Sequence, residues 1–318
     1  MVWIGWLIFL TAAGQLMAAT NVVAQPQRTP ATALRPDDRV ENEFQRLMAD
    51  DDDAETEVDR WIRDDDKFAA QGAGAPRSQL RQRIQDRLEP VRKAYADFLQ
   101  RHPDHVRARV AYASFLSDFE GEDAAKEQLE KALALDTNNP AIYNNLANIC
   151  GHNGPVKKAF EYYAKAIQLN PLEPVYYQNF GTTVFLFRKD AQEFYQISEA
   201  QVFAKAFELY SNAMRLDPEN FVLASDVAQS YYGVQPLPSQ QALRAWTNVL
   251  RLAQDETQRE GVYLHLARLK LLTGHFDETR AHLSAVTNEV YAELKQRLAR
   301  NLAEREAQAK ATNTPSAR

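Results

Sequence analysis

The sequence predicts an all-α fold, a right-handed α-solenoid of about five helix-turn-helix units, and three observations carry that prediction. His102-Pro103-Asp104, Asp136-Thr137-Asn138 and Asn170-Pro171-Leu172 recur at a 34-residue spacing, and Asp217-Pro218-Glu219 continues the series after a longer interval. A fixed period of this length marks stacked units that each bury an apolar face only against their neighbours. Glycine is scarce, at 11 of 318 residues, and long stretches are built from Ala, Leu, Glu, Gln, Arg and Lys, which favour helix over sheet. With 45% apolar residues the chain can supply a core over most of its length.

From the N-terminus, residues 2–13 (VWIGWLIFLTAA) are an uncharged apolar run followed by small residues, the pattern of a secretory leader and its cleavage zone. A membrane-spanning helix needs about 20 apolar residues, and Gln15, Thr20 and Asn21 interrupt the extension to that length. Residues 1–24 are therefore expected to be a signal peptide or an N-terminal anchor. The protein is then exported, periplasmic or secreted, or tethered in the inner membrane by residues 2–19. Residues 25–77 read as a Pro- and Asp-rich linker with short amphipathic helices. Val40, Phe44, Leu47 and Met48 mark one helix, and Val58, Trp61, Ile62 and Phe68 a second, on either side of the Asp50–Asp53 run. Between Asp37 and Asp66 there are fourteen Asp and Glu against four Arg, a local charge of −10, so the chain's net −6 comes from this acidic preface and the remainder, at +4, is close to neutral.

GAGAP (Gly72 to Pro76) breaks the chain before two helices over 78–103, with Pro90 expected in the first turn of the second because proline costs about 3 kcal/mol in a helix interior. The repeats occupy 104–288. Tyr143, Leu146, Ala147 and Cys150 lie on one helix of the unit from Pro140 to Pro171, and Ala159, Tyr163 and Ala166 on the next. The preceding unit carries Tyr112, Ala113 and Leu116, then Ala125, Leu129 and Ala132. The following one carries Tyr177, Phe180, Gly181 and Val184, then Ala206, Tyr210 and Ala213, with an insertion at about 188–200. A fourth has Val227, Ala228 and Tyr231, then Ala242, Trp246 and Val249. A fifth has Leu266, Ala267, Phe276 and Leu283. Ser198-Glu199-Ala200-Gln201 reads as a capping box that starts the second helix of the third unit. Residues 289–309 read as a solvated capping helix, and 310–318 as a disordered tail.

On these residues the chain resembles the tetratricopeptide repeat family over roughly residues 79–288. The resemblance implies that the first helix of each unit lines a concave groove for a peptide or protein. Carried onto this chain, the groove positions are Arg107, Ser114 and Asp118, then Asn144, Asn148 and His152, then Gln178 and Thr182, then Ser225, Gln229 and Tyr232. Of the Lys and Arg set with which some members clamp a C-terminal carboxylate, only the position of Asn148 matches. Paired asparagine amides such as Asn144 and Asn148 suit a ligand backbone. Phe187, Phe194 and Tyr195 in the insertion either pack the longer helices or form an aromatic ledge for a partner.

Other function classes find little support. There is no clustered Lys and Arg stripe with stacking aromatics, so no nucleic-acid partner is expected. The six His show no HExxH and no Cys partner, no GxSxG or glycine-rich phosphate loop occurs, and Asp50–Asp53 lacks the Gly and terminal Glu of a calcium loop. No catalytic residue, metal or cofactor is expected, and the lone Cys150 falls at a packing position. The reading is a non-catalytic scaffold or adaptor for a peptide or protein partner. The alternative is an accessory subunit of an envelope enzyme or glycan-binding complex, and self-association is a third. Sequence leaves the oligomeric state open.

Overall fold

The computed structural model describes residues 38–70 and 77–313, with side chains over 39–65 and 78–310. The expected leader and cleavage zone, the stretch 25–37, the GAGAP break and residues 314–318 lie outside the described residues. Among the described residues there are fourteen α-helices and no strand, in two compact halves, Met1–Pro171 and Leu172–Arg318. All-α stacking of helix pairs is thus what the sequence specifies.

In the N-terminal half, α1 (Asp38–Ala70) and α2 (Arg77–Arg101) run antiparallel. Arg87 pairs with Glu57, Tyr95 with Asp51 and Arg101 with Glu43 along their seam. Two repeats follow, α3 (Val106–Phe119) with α4 (Glu122–Leu135) and α5 (Pro140–Asn153) with α6 (Val156–Leu169). One core joins Phe44, Leu47, Ala54 and Val58 of α1 to Val91, Tyr95 and Phe98 of α2 and to Phe115, Leu129 and Ile142 of the repeats.

In the C-terminal half, α7 (Pro174–Leu186) pairs with α9 (Glu199–Leu216), and the insertion forms α8 (Arg188–Tyr195) between them. Two further pairs are α10 (Phe221–Ser230) with α11 (Ser239–Leu252) and α12 (Glu256–Leu272) with α13 (Phe276–Ser284). A 3-10 turn at Glu289–Tyr291 then leads into α14 (Ala292–Asn313). The five pairs are the five units read from the sequence.

The recurring tripeptides are the turns between pairs, and after three of the four the next residue's side chain caps the following helix, Glu173 after Leu172 being the exception. His105 Nδ1 accepts the Ala108 amide at 3.0 Å, and Asn139 Oδ1 accepts that of Ala141 at 3.1 Å with Pro140 in the first helical position. Asn220 Oδ1 accepts that of Leu223 at 2.9 Å. The capping box at Ser198 forms as expected: its Oγ accepts the Gln201 amide at 3.4 Å and Gln201 Oε1 accepts the Ser198 amide at 2.9 Å. In four of the five pairs small residues are buried on both facing helices. Ala113 lies against the helix of Ala125, Ala147 that of Ala159, Gly181 that of Ala206, and Ala228 that of Ala242, and all are buried.

Three local expectations differ from the structure. The preface contains one 33-residue helix where two short ones are expected. Asp50, Asp52 and Asp53 lie exposed on its outer side while Ala54 and Val58 are buried, so the acidic run interrupts the composition and not the helix. Pro90 sits inside α2 and not in a first turn. Its ring is exposed, and burial of Leu88, Val91, Tyr95 and Phe98 outweighs the lost backbone bond. At the C-terminus α14 continues to Asn313, past the start of the expected tail at 310. Ahead of α14, buried Glu260 accepts the amides of Thr287 (2.9 Å) and Asn288 (2.7 Å) and the Thr287 hydroxyl (2.8 Å). The Asn288 amide leads the contacts that hold its carboxyl below the usual range, and α12 is thereby tied to the turn that starts the last helix.

Candidate functional site

The residues expected to line a groove fall on the first helices of the pairs, except Tyr232 in the 3-10 turn Tyr231–Gly233 that follows α10, and the structure treats them unequally. In the N-terminal half Asn144 has no exposed surface and donates to Asn145 Oδ1 at 3.2 Å. Asn148, one turn on, is half-buried and accepts the Tyr163 hydroxyl at 2.6 Å. His152 is exposed at the end of α5 with Nδ1 2.7 Å from Glu122 Oε1, whose other oxygen accepts Asn153 Nδ2 at 2.6 Å. Ser114 turns back onto the Val110 carbonyl at 3.3 Å. Arg107 is held by α1: its Nη1 donates to Glu41 at 2.8 Å and its guanidinium stands 5.0 Å from the Phe44 ring centre.

Beside this row α1 places further carboxylates. Burial is the main cause raising Asp51 to about 6, opposed by the Tyr95 hydroxyl that donates to its Oδ2 at 2.6 Å and reinforced by Glu55, Asp52 and Asp118. Desolvation and then the Glu55 charge raise Asp118 to about 6 as well. The sign follows from which protonation state the fold prefers. Below the unfolded value, about 4, Asp51 is protonated in both states and costs nothing. As pH rises through about 6 the folded chain must ionise it against its surroundings, and that part of the stability is lost. The chain is therefore expected to melt higher near pH 5 than near pH 7.5 in so far as Asp51 decides. Asp51→Asn keeps an acceptor for Tyr95 without the charge, and is expected to stabilise by about 1–2 kcal/mol at pH 7.5 and to reduce the difference between the two pH values. Thermal melts of both proteins at both pH values measure this; an unchanged melt at pH 7.5 would refute it.

In the C-terminal half, side chains link successive first helices. Gln178 Nε2 of α7 donates to Asp226 Oδ2 of α10 at 3.1 Å. Burial raises Asp226 to about 6 against that hydrogen bond. Thr182 accepts the Tyr210 hydroxyl at 3.2 Å, and Ser230 donates to that hydroxyl at 3.4 Å. Ser225 is enclosed, bonded to the Phe221 carbonyl at 2.7 Å, and Gln229 is half-buried. Tyr232 brings its hydroxyl 3.3 Å from His265 Nδ1 on α12. The His265 ring lies 3.7 Å from that of Trp246 at 7°, and Arg268 lies 4.5 Å above the Tyr232 ring. Burial first, then Arg268, lowers His265 to about 3, so it is neutral at physiological pH.

The insertion aromatics have partners in their own half. Phe187 is the half-buried joint between α7 and α8. Phe194 and Tyr195 meet edge to face at 4.8 Å, and Lys205 of α9 caps Tyr195 at 4.4 Å. Asp226, His265 and Arg268 were not singled out from sequence. Arg268 had a signal, since it follows Ala267 as Asn148 follows Ala147, Thr182 follows Gly181 and Gln229 follows Ala228. Among the described residues no group of three His, Cys, Asp or Glu is placed to hold a metal ion, and no helix is long and apolar enough to cross a membrane.

Comparison with known proteins places this geometry. The tetratricopeptide repeat family matches residues 140–171, which is the α5–α6 pair with its turn. A photosystem I assembly protein, Ycf3, of Synechococcus sp. (strain CC9605) is 28% identical over 129 residues, 38% of this chain and 75% of that protein. The protein of the same name from Rippkaea orientalis (strain PCC 8801 / RF-1) is 33% identical over 86 residues, 27% of this chain and 50% of its own. Among solved structures, PilW, a widely conserved type IV pilus biogenesis factor, superposes with a TM-score of 0.53 at 15% identity over 70% of this chain and 99% of its own, a likeness of fold.

Proposed function

We propose that this chain, a tetratricopeptide-repeat protein, works as a non-catalytic scaffold that binds a peptide or protein partner through the first helices of the pairs within each half. The observation that carries this reading is the residue directly after each small crossing residue. Ser114, Asn148, Thr182, Gln229 and Arg268 are all half-buried polar side chains at the same register. Asn148 and Thr182 are each held by a tyrosine hydroxyl from the second helix of their pair. Such pre-ordering lowers the entropy cost of binding, which is what a recognition surface needs and a merely solvated face does not. The relatives' names describe assembly of larger protein complexes, a task that suits a scaffold of this kind, here in or beyond the envelope if the apolar leader exports it.

Glycan binding is the weaker reading, because it needs an open tryptophan face. Trp246 is 2% exposed, and Arg83 covers Trp61 at 3.8 Å. Affinity capture with the full chain from an envelope fraction tests the proposal. Asn148→Ala combined with Gln229→Ala is expected to reduce the captured partner by about tenfold, with the melt lowered by no more than the roughly 1–3 kcal/mol of the acceptor lost to the buried Tyr163 hydroxyl. Equal capture by variant and parent would end the groove reading.

A further inference from the structure

We propose that the cleft between α1 and α2 at Trp61 binds an acidic side chain that a partner protein presents between lysines or arginines. Trp61, Gln79, Gln82, Arg83, Asp86 and Arg87 line this cleft, whose volume is about 490 Å³. It lies on the pair that precedes the repeats and within one compact half, so it stands or falls apart from the first helices.

Two donors in the cleft lack an acceptor among the described residues. The Trp61 Nε1–H is buried and makes no hydrogen bond. An indole nitrogen can only donate, and a buried donor left unpaired costs free energy that an incoming oxygen recovers. Arg83 lies over the indole, its guanidinium carbon 3.8 Å from the ring centre, and forms no ion pair or hydrogen bond among the described residues. Arg87, by contrast, is engaged by Glu57 at 2.8 Å. The exposed Arg83 side chain can swing on its flexible stem, and a carboxylate that draws the guanidinium off the ring uncovers the indole N–H for its second oxygen.

Charge sets what surrounds that carboxylate. The fourteen Asp and Glu against four Arg between Asp37 and Asp66 repel a partner that carries a run of acidic residues. Asp86, which lines the same cleft, accepts Gln82 Nε2 at 2.8 Å and pairs with no cation among the described residues. It suits a lysine or arginine beside the bound carboxylate, so that one charge of each sign on the protein meets one of each sign on the partner. A phosphate fits less well, since its second charge faces the same acidic helix.

Fluorescence anisotropy of the full chain with fluorescein-labelled, amide-capped pentapeptides tests this. Gly-Lys-Glu-Lys-Gly is expected to bind about tenfold more tightly than Gly-Lys-Gln-Lys-Gly or Gly-Glu-Glu-Glu-Gly, and more weakly as salt rises from roughly 50 to 300 mM. Arg83→Gln is expected to remove about tenfold of that affinity and Arg83→Lys to restore part of it. Trp61→Phe keeps an aromatic ring beneath Arg83 without the N–H, and is expected to weaken the glutamate peptide by about fivefold while leaving the glutamine peptide unchanged. A tryptophan that only packs would affect neither peptide, or both alike. Asp86→Asn is expected to narrow the gap between Gly-Lys-Glu-Lys-Gly and Gly-Glu-Glu-Glu-Gly. Arg251→Gln, at an exposed arginine paired with Glu219 in the other half, should have no effect, nor should Asn148→Ala with Gln229→Ala. Equal affinity for the glutamate and glutamine peptides, no binding of any of the three, tighter binding of Gly-Glu-Glu-Glu-Gly, or indifference to both Arg83→Gln and Trp61→Phe would overturn the assignment.

Discussion

Replacing Gly181 by leucine is expected to lower stability by about 3 kcal/mol, seen as a fall of about 6–12 °C in the melting temperature. A Cβ at this position would stand 2.9 and 3.0 Å from Tyr210 Cδ1 and Cε1 and 3.2 Å from the Ala206 carbonyl oxygen. The Tyr210 ring is buried and its hydroxyl is held by Thr182 and Ser230, so it cannot step aside without breaking both. Alanine removes a helical glycine and so gains about 1 kcal/mol of helix propensity, and its single methyl already meets the ring. Gly181→Ala is thus the informative control. Leucine adds three more carbons at a crossing with no space for them. A leucine variant that melts with the parent would mean that α7 and α9 do not cross at this point.

Phe44→Ala is expected to cost about 3–5 kcal/mol and to release α1 from the repeats. Phe44 is completely enclosed, 5.9 Å from the Phe98 ring and 4.8 Å from that of His105, with Arg107 across its face. It therefore joins α1 to α2 and α3 at once. Hydrogen exchange should show amides of residues 40–60 losing protection while those of α5 and α6 keep theirs. Unchanged protection over 40–60 would mean that α1 is held by its polar seam to α2 and not by this ring.

The repeats were legible because each carries the same small residues at the same crossing, and the crossing decides the pair. Gly181 stands against Tyr210 and the Ala206 carbonyl, and Ala147 and Ala159 are both fully buried on paired helices. Less legible was α1, whose aspartates at 50–53 look like a break in composition although a helix tolerates them on its exposed side. The expected groove residues differ in how open they are. Asn148 and Thr182 lie half-open where expected, but Asn144 and Ser225, three residues before the small crossing residue, are enclosed. Periodicity gives the face of a helix, but how far its neighbour covers that face depends on packing across the chain. For the same reason the Trp246–His265 stack was invisible: the two residues are nineteen apart in sequence and meet only through the pairing of α11 with α12.

The two tyrosine hydroxyls that cross to the first helices also decide what those helices can ask of a ligand. Tyr163 takes up the Oδ1 side of Asn148, which leaves the amide NH2 facing outward, and Tyr210 spends its proton on Thr182, which leaves the threonine's own proton to give away. At these two positions the bond already made occupies an oxygen, and the hydrogens of the amide and the hydroxyl remain to be given. If these helices form the binding face, Asn148 and Thr182 are where a visitor's carbonyl oxygens would be met, so removing such an oxygen should weaken binding more than methylating a backbone nitrogen there.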